Sequence, residues 1–123
     1  MIVRGFFMES NQKQVFKDIT PQEANEIIKM NDGNAQFVLM DVRTQVEFQG
    51  AHLEGAKLVD YQSSEFAGEI AKMDKDKKYL LYCRSGVRSA NAMQIMRMEG
   101  FKEVYNMLGG IGRWSGEGLP LVK

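Results

Sequence analysis

The segment "YLLYCRSGVRSANAMQIM", residues 79–96, joins a short apolar run to a longer stretch with apolar residues at helical spacing. The apolar run that ends at Cys83 predicts a buried strand, and the residues after Arg88 predict a helix. A strand that passes through a tight loop into a helix is the repeating unit of parallel sheets. The segment therefore indicates an α/β fold, with Cys83 at the point where the strand meets the loop.

Strands and helices alternate along the rest of the chain in the same way. The predicted strands are apolar runs, and they lie at residues 36–42, 56–60, 79–83 and 103–108. The predicted helices have apolar residues on one face, and they lie at residues 21–32, 44–50, 63–73 and 88–100. The glycine-rich end, residues 109–123, is expected to add one helical turn. Covered strands joined by helices predict a mostly parallel sheet with helices on both faces.

Capping residues indicate where several helices begin. Thr20 is expected to cap the first helix, with Glu23 completing a capping box. Ser63 or Ser64 is expected to cap the third predicted helix. Ser89 is expected either to donate to the Cys83 loop or to cap the helix that follows it. The last of these helices also carries several methionines, among them Met98, which are expected to pack in the core.

Composition limits the function classes. The chain has 123 residues, which suits one domain, expected at residues 11–123 with a flexible or partner-contacting tail at residues 1–10. The 16 basic and 16 acidic residues balance, so nucleic-acid and membrane partners are not expected. The chain has one cysteine, Cys83, which makes no internal disulfide and suits a reducing cytoplasm. One cysteine and one histidine do not make a metal ligand set, and no cofactor is expected.

The loop after Cys83 has the residue types that bind an anion. Ligands of parallel sheets bind at the carboxyl ends of the strands, where Cys83 is expected to lie. The following helix offers free amide groups, Arg84 and Arg88 add positive charge, and Gly86 lets the backbone turn. These surroundings favour a thiolate, so Cys83 is a candidate nucleophile, with a buried inert cysteine as the alternative. The expected cradle comprises Arg84, Ser85, Gly86, Val87, Arg88 and Ser89.

The number of residues between Cys83 and the next arginines helps to distinguish sulfur transfer from phosphatase chemistry. Cysteine phosphatases use a similar cradle, but their arginine falls where this chain has Ser89. Arg88 comes one residue earlier, which shortens the loop and suits a sulfur atom carried on cysteine better than a phosphate ester. A two-cysteine reductase is disfavoured because the chain has no second cysteine to resolve a disulfide.

Three segments resemble the rhodanese family of sulfurtransferases. They are "DVRTQVEFQGAHLEGA" at residues 41–56, "YCRSGVRSA" at residues 82–90 and "NMLGGIGRWSGEGLPL" at residues 106–121. Their order and spacing match a single-domain member, and "FKDITPQEA" before them resembles the usual entry into the family's first helix. The resemblance implies a three-layer fold with a five-stranded, mostly parallel sheet flanked by helices.

The resemblance also implies roles for individual residues. Cys83 would take the outer sulfur of a donor such as thiosulfate as a persulfide and pass it to a thiol or cyanide, while Arg84 and Arg88 hold the anionic donor. Asp41 and Arg43 would support the loop by a charged hydrogen bond. Apart from the resemblance, the four-residue spacing of Arg43 and Glu47 allows an ion pair between them on one helix surface. The only histidine, His52, is expected to have a structural role, and Trp114 is expected to pack.

Two other functions are considered as alternatives to the sulfurtransferase. A persulfide carrier or interaction module would have the same fold, take sulfur from a protein partner, and show little activity with thiosulfate. The apolar start of the chain and its final segment are the features expected to dock such a partner. A relative of cysteine phosphatases or arsenate reductases is disfavoured by the length of the loop.

Overall fold

The computed structural model describes residues 13–123 and arranges them around one five-stranded sheet. The strands are β1 (Val15–Ile19), β2 (Phe37–Asp41), β3 (Lys57–Leu58), β4 (Lys78–Tyr82) and β5 (Glu103–Met107). Their order in the sheet is β1-β5-β4-β2-β3, and every neighbouring pair is parallel. The predicted parallel sheet is confirmed, and β4, which leads into Cys83, is its central strand.

Five helices connect or follow the strands in the described part of the chain. They are α1 (Pro21–Met30), α2 (Gln45–Gly50), α3 (Phe66–Ala71), α4 (Val87–Met98) and α5 (Gly110–Gly116). Side chains of β4 alternate between the two faces, since successive residues of a strand point in opposite directions. Leu81 packs with α3 and α4 in one buried cluster, whereas Leu80 and Tyr82 pack with α1 and α5 in the other. Helices therefore cover both faces, as the sequence predicts.

The predicted start of α1 is confirmed, because its capping residues bind each other within one helical turn. Thr20 caps α1, and its hydroxyl accepts from the Glu23 amide while the Glu23 carboxylate accepts from the Thr20 amide. A second capping box, which the sequence analysis missed, joins Thr44 and Glu47 at the start of α2. Both boxes satisfy amide groups that the first helical turn leaves unpaired.

Four predictions of detail are wrong. The residue before α3 is Glu65, without a side-chain cap, because the Ser63 hydroxyl accepts from the Glu65 amide in the preceding turn. Met98 is 84% exposed, because it lies on the solvent side of the last turn of α4 rather than over the sheet. The final helix α5 spans seven residues rather than one turn, and β3 is shortened to two.

The expected N-terminal tail, residues 1–10, lies outside the described residues, and so does its expected contact with a partner. Within residues 13–123, no helix has the length and apolar character needed to cross a membrane.

Candidate functional site

Cys83 lies at the carboxyl edge of the sheet, directly after the central strand β4. The chain then turns through Gly86, whose φ of 102° places it in the left-handed region, and enters α4 at Val87. Glycine adopts this conformation without the cost that a side chain brings. Cys83 is only 1% exposed, so its thiol lies at the bottom of the loop rather than on the surface.

Three hydrogen bonds converge on the Cys83 sulfur. The Gly86 amide donates to Sγ at 3.0 Å, the Ser89 amide at 3.5 Å and the Ser89 hydroxyl at 3.4 Å. Burial acts to raise the pKa of Cys83, but the hydrogen bonds from Ser89 and the loop amides outweigh it, so the pKa is lowered. The loop therefore stabilises the thiolate form of Cys83, as the sequence predicts for a nucleophile.

Ser89 does not cap α4. The residue before the helix is Gly86, and Ser89 lies inside the first turn, fully buried. The backbone amide and the hydroxyl of Ser89 both donate to the Cys83 sulfur, so Ser89 supplies two of the three hydrogen bonds described above. The structure matches the other expectation for Ser89, that its hydroxyl donates a hydrogen bond in the Cys83 loop.

Arg88 is bound by a carboxylate from α2. Its two terminal nitrogens donate to the two oxygens of Glu47 at 2.8 and 2.9 Å. These bonds, together with those from Thr44, lower the pKa of Glu47 to about 2, against a smaller opposing effect of burial. The expected ion pair between Arg43 and Glu47 is therefore not formed, because the Glu47 carboxylate binds Arg88 of the Cys83 loop instead. This bidentate contact joins the loop to α2.

The remaining loop residues face outward. Arg84 and Ser85 are exposed, and Val87 is 65% exposed at the first position of α4. Among residues 13–123, no carboxylate lies within 4.0 Å of the Arg84 guanidinium. Of the two arginines expected to hold an anion, Arg84 is thus the one whose charge is not paired within the described part of the chain.

Asp41 and Arg43 form a buried ion pair with each other. The guanidinium of Arg43 donates to Asp41 at 2.7 Å and to the carbonyl oxygen of Ala51 at 2.6 Å. Within residues 13–123 neither side chain has a hydrogen bond to the Cys83 loop, contrary to the expected charged contact. The pair instead fixes the chain after α2, and Arg43 lies 5.7 Å over the ring of Tyr82, the residue before Cys83.

The start of α5 holds the backbone of the Cys83 loop. The Ile111 amide donates to the Cys83 carbonyl at 2.8 Å, and the Gly112 amide donates to the Arg84 carbonyl at 3.1 Å. Gly110 has a φ of 58°, and a Cβ atom there would collide with both carbonyl groups. The sequence marks residues 109–123 as glycine-rich but does not indicate the loop that Gly110 approaches.

The remaining singled-out residues have structural roles. The His52 ring stacks on Phe48 at 3.7 Å between centroids, its Nδ1 lies 2.8 Å from the Phe48 carbonyl oxygen, and its backbone pairs with Val122. Trp114 is buried and donates to the Pro120 carbonyl oxygen. Both match the expectation. Within residues 13–123 there is no cluster of three or more metal-ligating side chains.

Two surface cavities lie away from this site. One, of about 250 Å³, is lined by the loop after α1 and the start of β2. The other, of about 380 Å³, is lined by residues of α3 and the start of β4. Neither is lined by a residue of the Cys83 loop.

Comparison with known proteins identifies the family of this chain. A family model described as the rhodanese-like domain matches residues 20–117. The chain is 35% identical over 106 residues to the thiosulfate sulfurtransferase GlpE of Coxiella burnetii, a match that covers 81% of this chain and 88% of GlpE. A crystal structure of a rhodanese-related protein from Thermoplasma volcanium superposes with a TM-score of 0.70 at 26% identity, covering 86% of this chain and 97% of that one.

A longer relative matches over the same region. The chain is 33% identical over 102 residues to the probable adenylyltransferase/sulfurtransferase MoeZ of Mycobacterium tuberculosis. That match covers 83% of this chain but only 25% of MoeZ, so the chain spans about a quarter of this relative's length. The chain belongs to the rhodanese-like family, and its relatives include proteins named as sulfurtransferases.

Replacement of Gly110 is expected to disrupt the loop. Gly110→Ala places a methyl group against the Cys83 and Arg84 carbonyls and forces alanine into the left-handed region. We expect a loss of at least about 2 kcal/mol in the free energy of unfolding, measured by urea denaturation. Gly116→Ala in the same helix has no atom within 4 Å of the added methyl and is the matched control, expected to keep full stability.

Loss of the Ser89 hydroxyl is expected to make Cys83 less reactive. Ser89→Ala removes one donor to the thiolate, which raises the pKa of Cys83 and reduces the thiolate fraction at neutral pH. The rate of alkylation by iodoacetamide at pH 7 should fall about fivefold, the effect of one hydrogen bond of about 1 kcal/mol. Ser115→Ala, at an exposed serine of α5, should leave the rate unchanged; equal rates in the two variants would contradict a role for the Ser89 hydroxyl.

Proposed function

We propose that this protein is a sulfurtransferase that carries a sulfane sulfur on Cys83 from an anionic donor such as thiosulfate to a thiol or cyanide. The observation that carries the proposal is the set of three hydrogen bonds from Gly86 and Ser89 to the Cys83 sulfur. A thiolate held by fixed donors in a buried loop is a preorganised nucleophile. The similarity to GlpE, named as a thiosulfate sulfurtransferase, supports the same chemistry.

The first step loads the protein with sulfur. The Cys83 thiolate attacks the outer sulfur of the donor, a new S–S bond forms, and the bond between the two donor sulfurs breaks. Sulfite leaves with the bonding electron pair when the donor is thiosulfate, and the outer sulfur stays on Cys83 as a persulfide anion. The amide groups of Gly86 and Ser89 are placed to stabilise negative charge in this loop before and after the transfer.

The second step unloads the persulfide. Cyanide or a thiolate attacks the outer sulfur, and the S–S bond to Cys83 breaks with the electron pair returning to the Cys83 sulfur. The thiolate is thereby regenerated, and its stabilisation by the loop makes Cys83 a good leaving group. Two half-reactions through one covalent intermediate give ping-pong kinetics.

Phosphate chemistry fits the site less well. A phosphatase cradle needs an arginine at the position of Ser89, and here Ser89 is buried with its hydroxyl bound to the sulfur. Arg88, the nearest substitute, is bound by both oxygens of Glu47. The side chains around Cys83 therefore favour transfer of sulfur over attack on a phosphate ester.

A persulfide carrier is the second candidate. The relative MoeZ combines, by its name, adenylyltransferase and sulfurtransferase functions in one long chain, of which this chain matches a quarter. The 1% exposure of Cys83 also suits a sulfur that is handed over within a docked complex. A carrier would load only from a protein donor. For either function we propose a cytoplasmic location, because a lone cysteine suits a reducing compartment.

The test of the proposed function is production of thiocyanate from thiosulfate and cyanide. The native protein should form thiocyanate with parallel lines in double-reciprocal plots, and Cys83→Ser should fall to the buffer background. After incubation with thiosulfate alone, the intact mass of the native protein should rise by one sulfur atom. Undiminished activity in the variant would contradict the role of Cys83.

The same mass measurement separates the two candidates. Loading from thiosulfate supports the sulfurtransferase, whereas loading only from a persulfidated protein, with no thiocyanate from thiosulfate, supports the carrier.

A further inference from the structure

The larger of the two cavities described above, of about 380 Å³, lies at the amino end of the sheet beside α3. Val38 of β2 and Tyr79 of β4, which are neighbours in the sheet, line its inner side. Tyr79 precedes Cys83 by four residues of extended chain, which places the two residues roughly 13 Å apart along the strand. The cavity is therefore separate from the Cys83 loop.

The inner part of this cavity is apolar. Val38 and Met73 are partly buried and pack against the core cluster on this face of the sheet, and Tyr79 belongs to that cluster. The Tyr79 hydroxyl donates to the Asp74 carbonyl oxygen at 2.6 Å, so the polar end of this side chain already has a partner. The cavity thus offers an apolar wall on which an apolar group of a ligand is favourably buried.

Three lysines from three segments of the chain line the same cavity. Lys57 begins β3, Lys72 directly follows α3, and Lys77 directly precedes β4. Among residues 13–123, no carboxylate lies within 4.0 Å of any of these ammonium groups. The next lysine along the chain, Lys78, does pair with a carboxylate, at 3.8 Å. The lysines that line the cavity are thus available to a ligand.

Two carboxylates also line the cavity, but they do not balance the lysines. The Asp74 carboxylate accepts from the Asp76 amide at 2.9 Å, which engages one of its oxygens in the turn before β4. Glu69 is exposed on α3. The three ammonium groups outnumber the two carboxylates, and cations that surround one concave wall repel one another. An anion bound in the cavity relieves that repulsion.

The smaller cavity, of about 250 Å³, has the opposite charge. It is lined by Asp32 and Glu54 and by no lysine or arginine of the described residues. Its lining also includes apolar side chains, among them Phe37 and Leu39. The two cavities therefore resemble each other in having an apolar part and differ in the charge around it, so the smaller one serves as an internal comparison.

From these observations we propose that the cavity beside α3 binds a small organic anion, in which a phosphate or carboxylate group is attached to an apolar body. The anionic group contacts the three lysines, and the apolar body packs on Val38 and Met73. An inorganic anion gains only the first of these contacts. The volume of about 380 Å³ lies in the range of small-molecule sites, about 300–1,000 Å³. This site lies outside the Cys83 loop and goes beyond the proposed sulfur transfer.

The test is a titration of ¹⁵N-labelled protein followed by its amide NMR signals, with phenyl phosphate, benzoate and inorganic phosphate as probes. Phenyl phosphate, benzoate or both should cause saturable shifts of the Met73 and Lys77 amides in the millimolar range. The tighter binder of the two identifies the preferred anionic group, and inorganic phosphate should bind more weakly than phenyl phosphate because it lacks the apolar contact.

Substitution of the lysines tests which groups hold the anion. Lys72→Gln and Lys77→Gln should each raise the Kd of the tighter binder about fivefold, the effect of one exposed ion pair of about 1 kcal/mol. The matched control is Lys29→Gln, which changes an exposed lysine of α1 outside the cavity and should leave the Kd unchanged.

Several outcomes would overturn the inference. They are the lack of a saturable shift with both organic probes, a Kd that neither lysine substitution changes, and equal affinity for phenyl phosphate and inorganic phosphate. Shifts confined to the Cys83 loop, or to Asn34 and Gly55 beside the smaller cavity, would place the anion elsewhere and overturn it as well. Because binding is measured without sulfur transfer, failure here leaves the proposed function intact.

Discussion

Two backbone hydrogen bonds from α5 hold the loop on which the site depends. The amides of Ile111 and Gly112 bind the carbonyls of Cys83 and Arg84, and Gly110 leaves the space that this contact needs. With its carbonyls turned toward α5, the loop is free to direct amide groups inward to the sulfur. The surroundings of the thiolate are thus a consequence of docking the last helix on the central strand, and the Glu47 pair adds a second anchor from α2.

Most of the fold follows from local patterns in the sequence. The apolar run before Cys83 predicts a strand covered on both faces, and β4 is indeed buried between two clusters. The capping box of Thr20 and Glu23 predicts the start of α1, because both partners lie within one helical turn. The predicted cap at Ser63 or Ser64 is wrong, since serine also satisfies amides in a turn, and local sequence does not distinguish the two uses.

The site is less predictable because its contacts join distant parts of the chain. The sequence identifies Cys83 and its loop by residue type. The pKa of Cys83 is lowered, against the effect of burial, by the Ser89 hydroxyl and by the amides of the loop and of the helix that begins there. The partner of Arg88 is Glu47, 41 residues away, and it depends on which helix lies beside the loop. Asp41 and Arg43 have the expected charges, but their geometry directs them to each other and to Ala51.

The proposed transfer of sulfur requires that the folded loop hold Cys83 as a thiolate. Because the chain has one cysteine, selective labelling with ¹³C at the cysteine Cβ gives a single signal, whose shift against pH reports the ionisation of Cys83 directly. We expect the midpoint in the folded protein to lie below the ordinary value of a free cysteine, about 8.5, and to return to that value in urea. A folded-state midpoint at or above the ordinary value would contradict it.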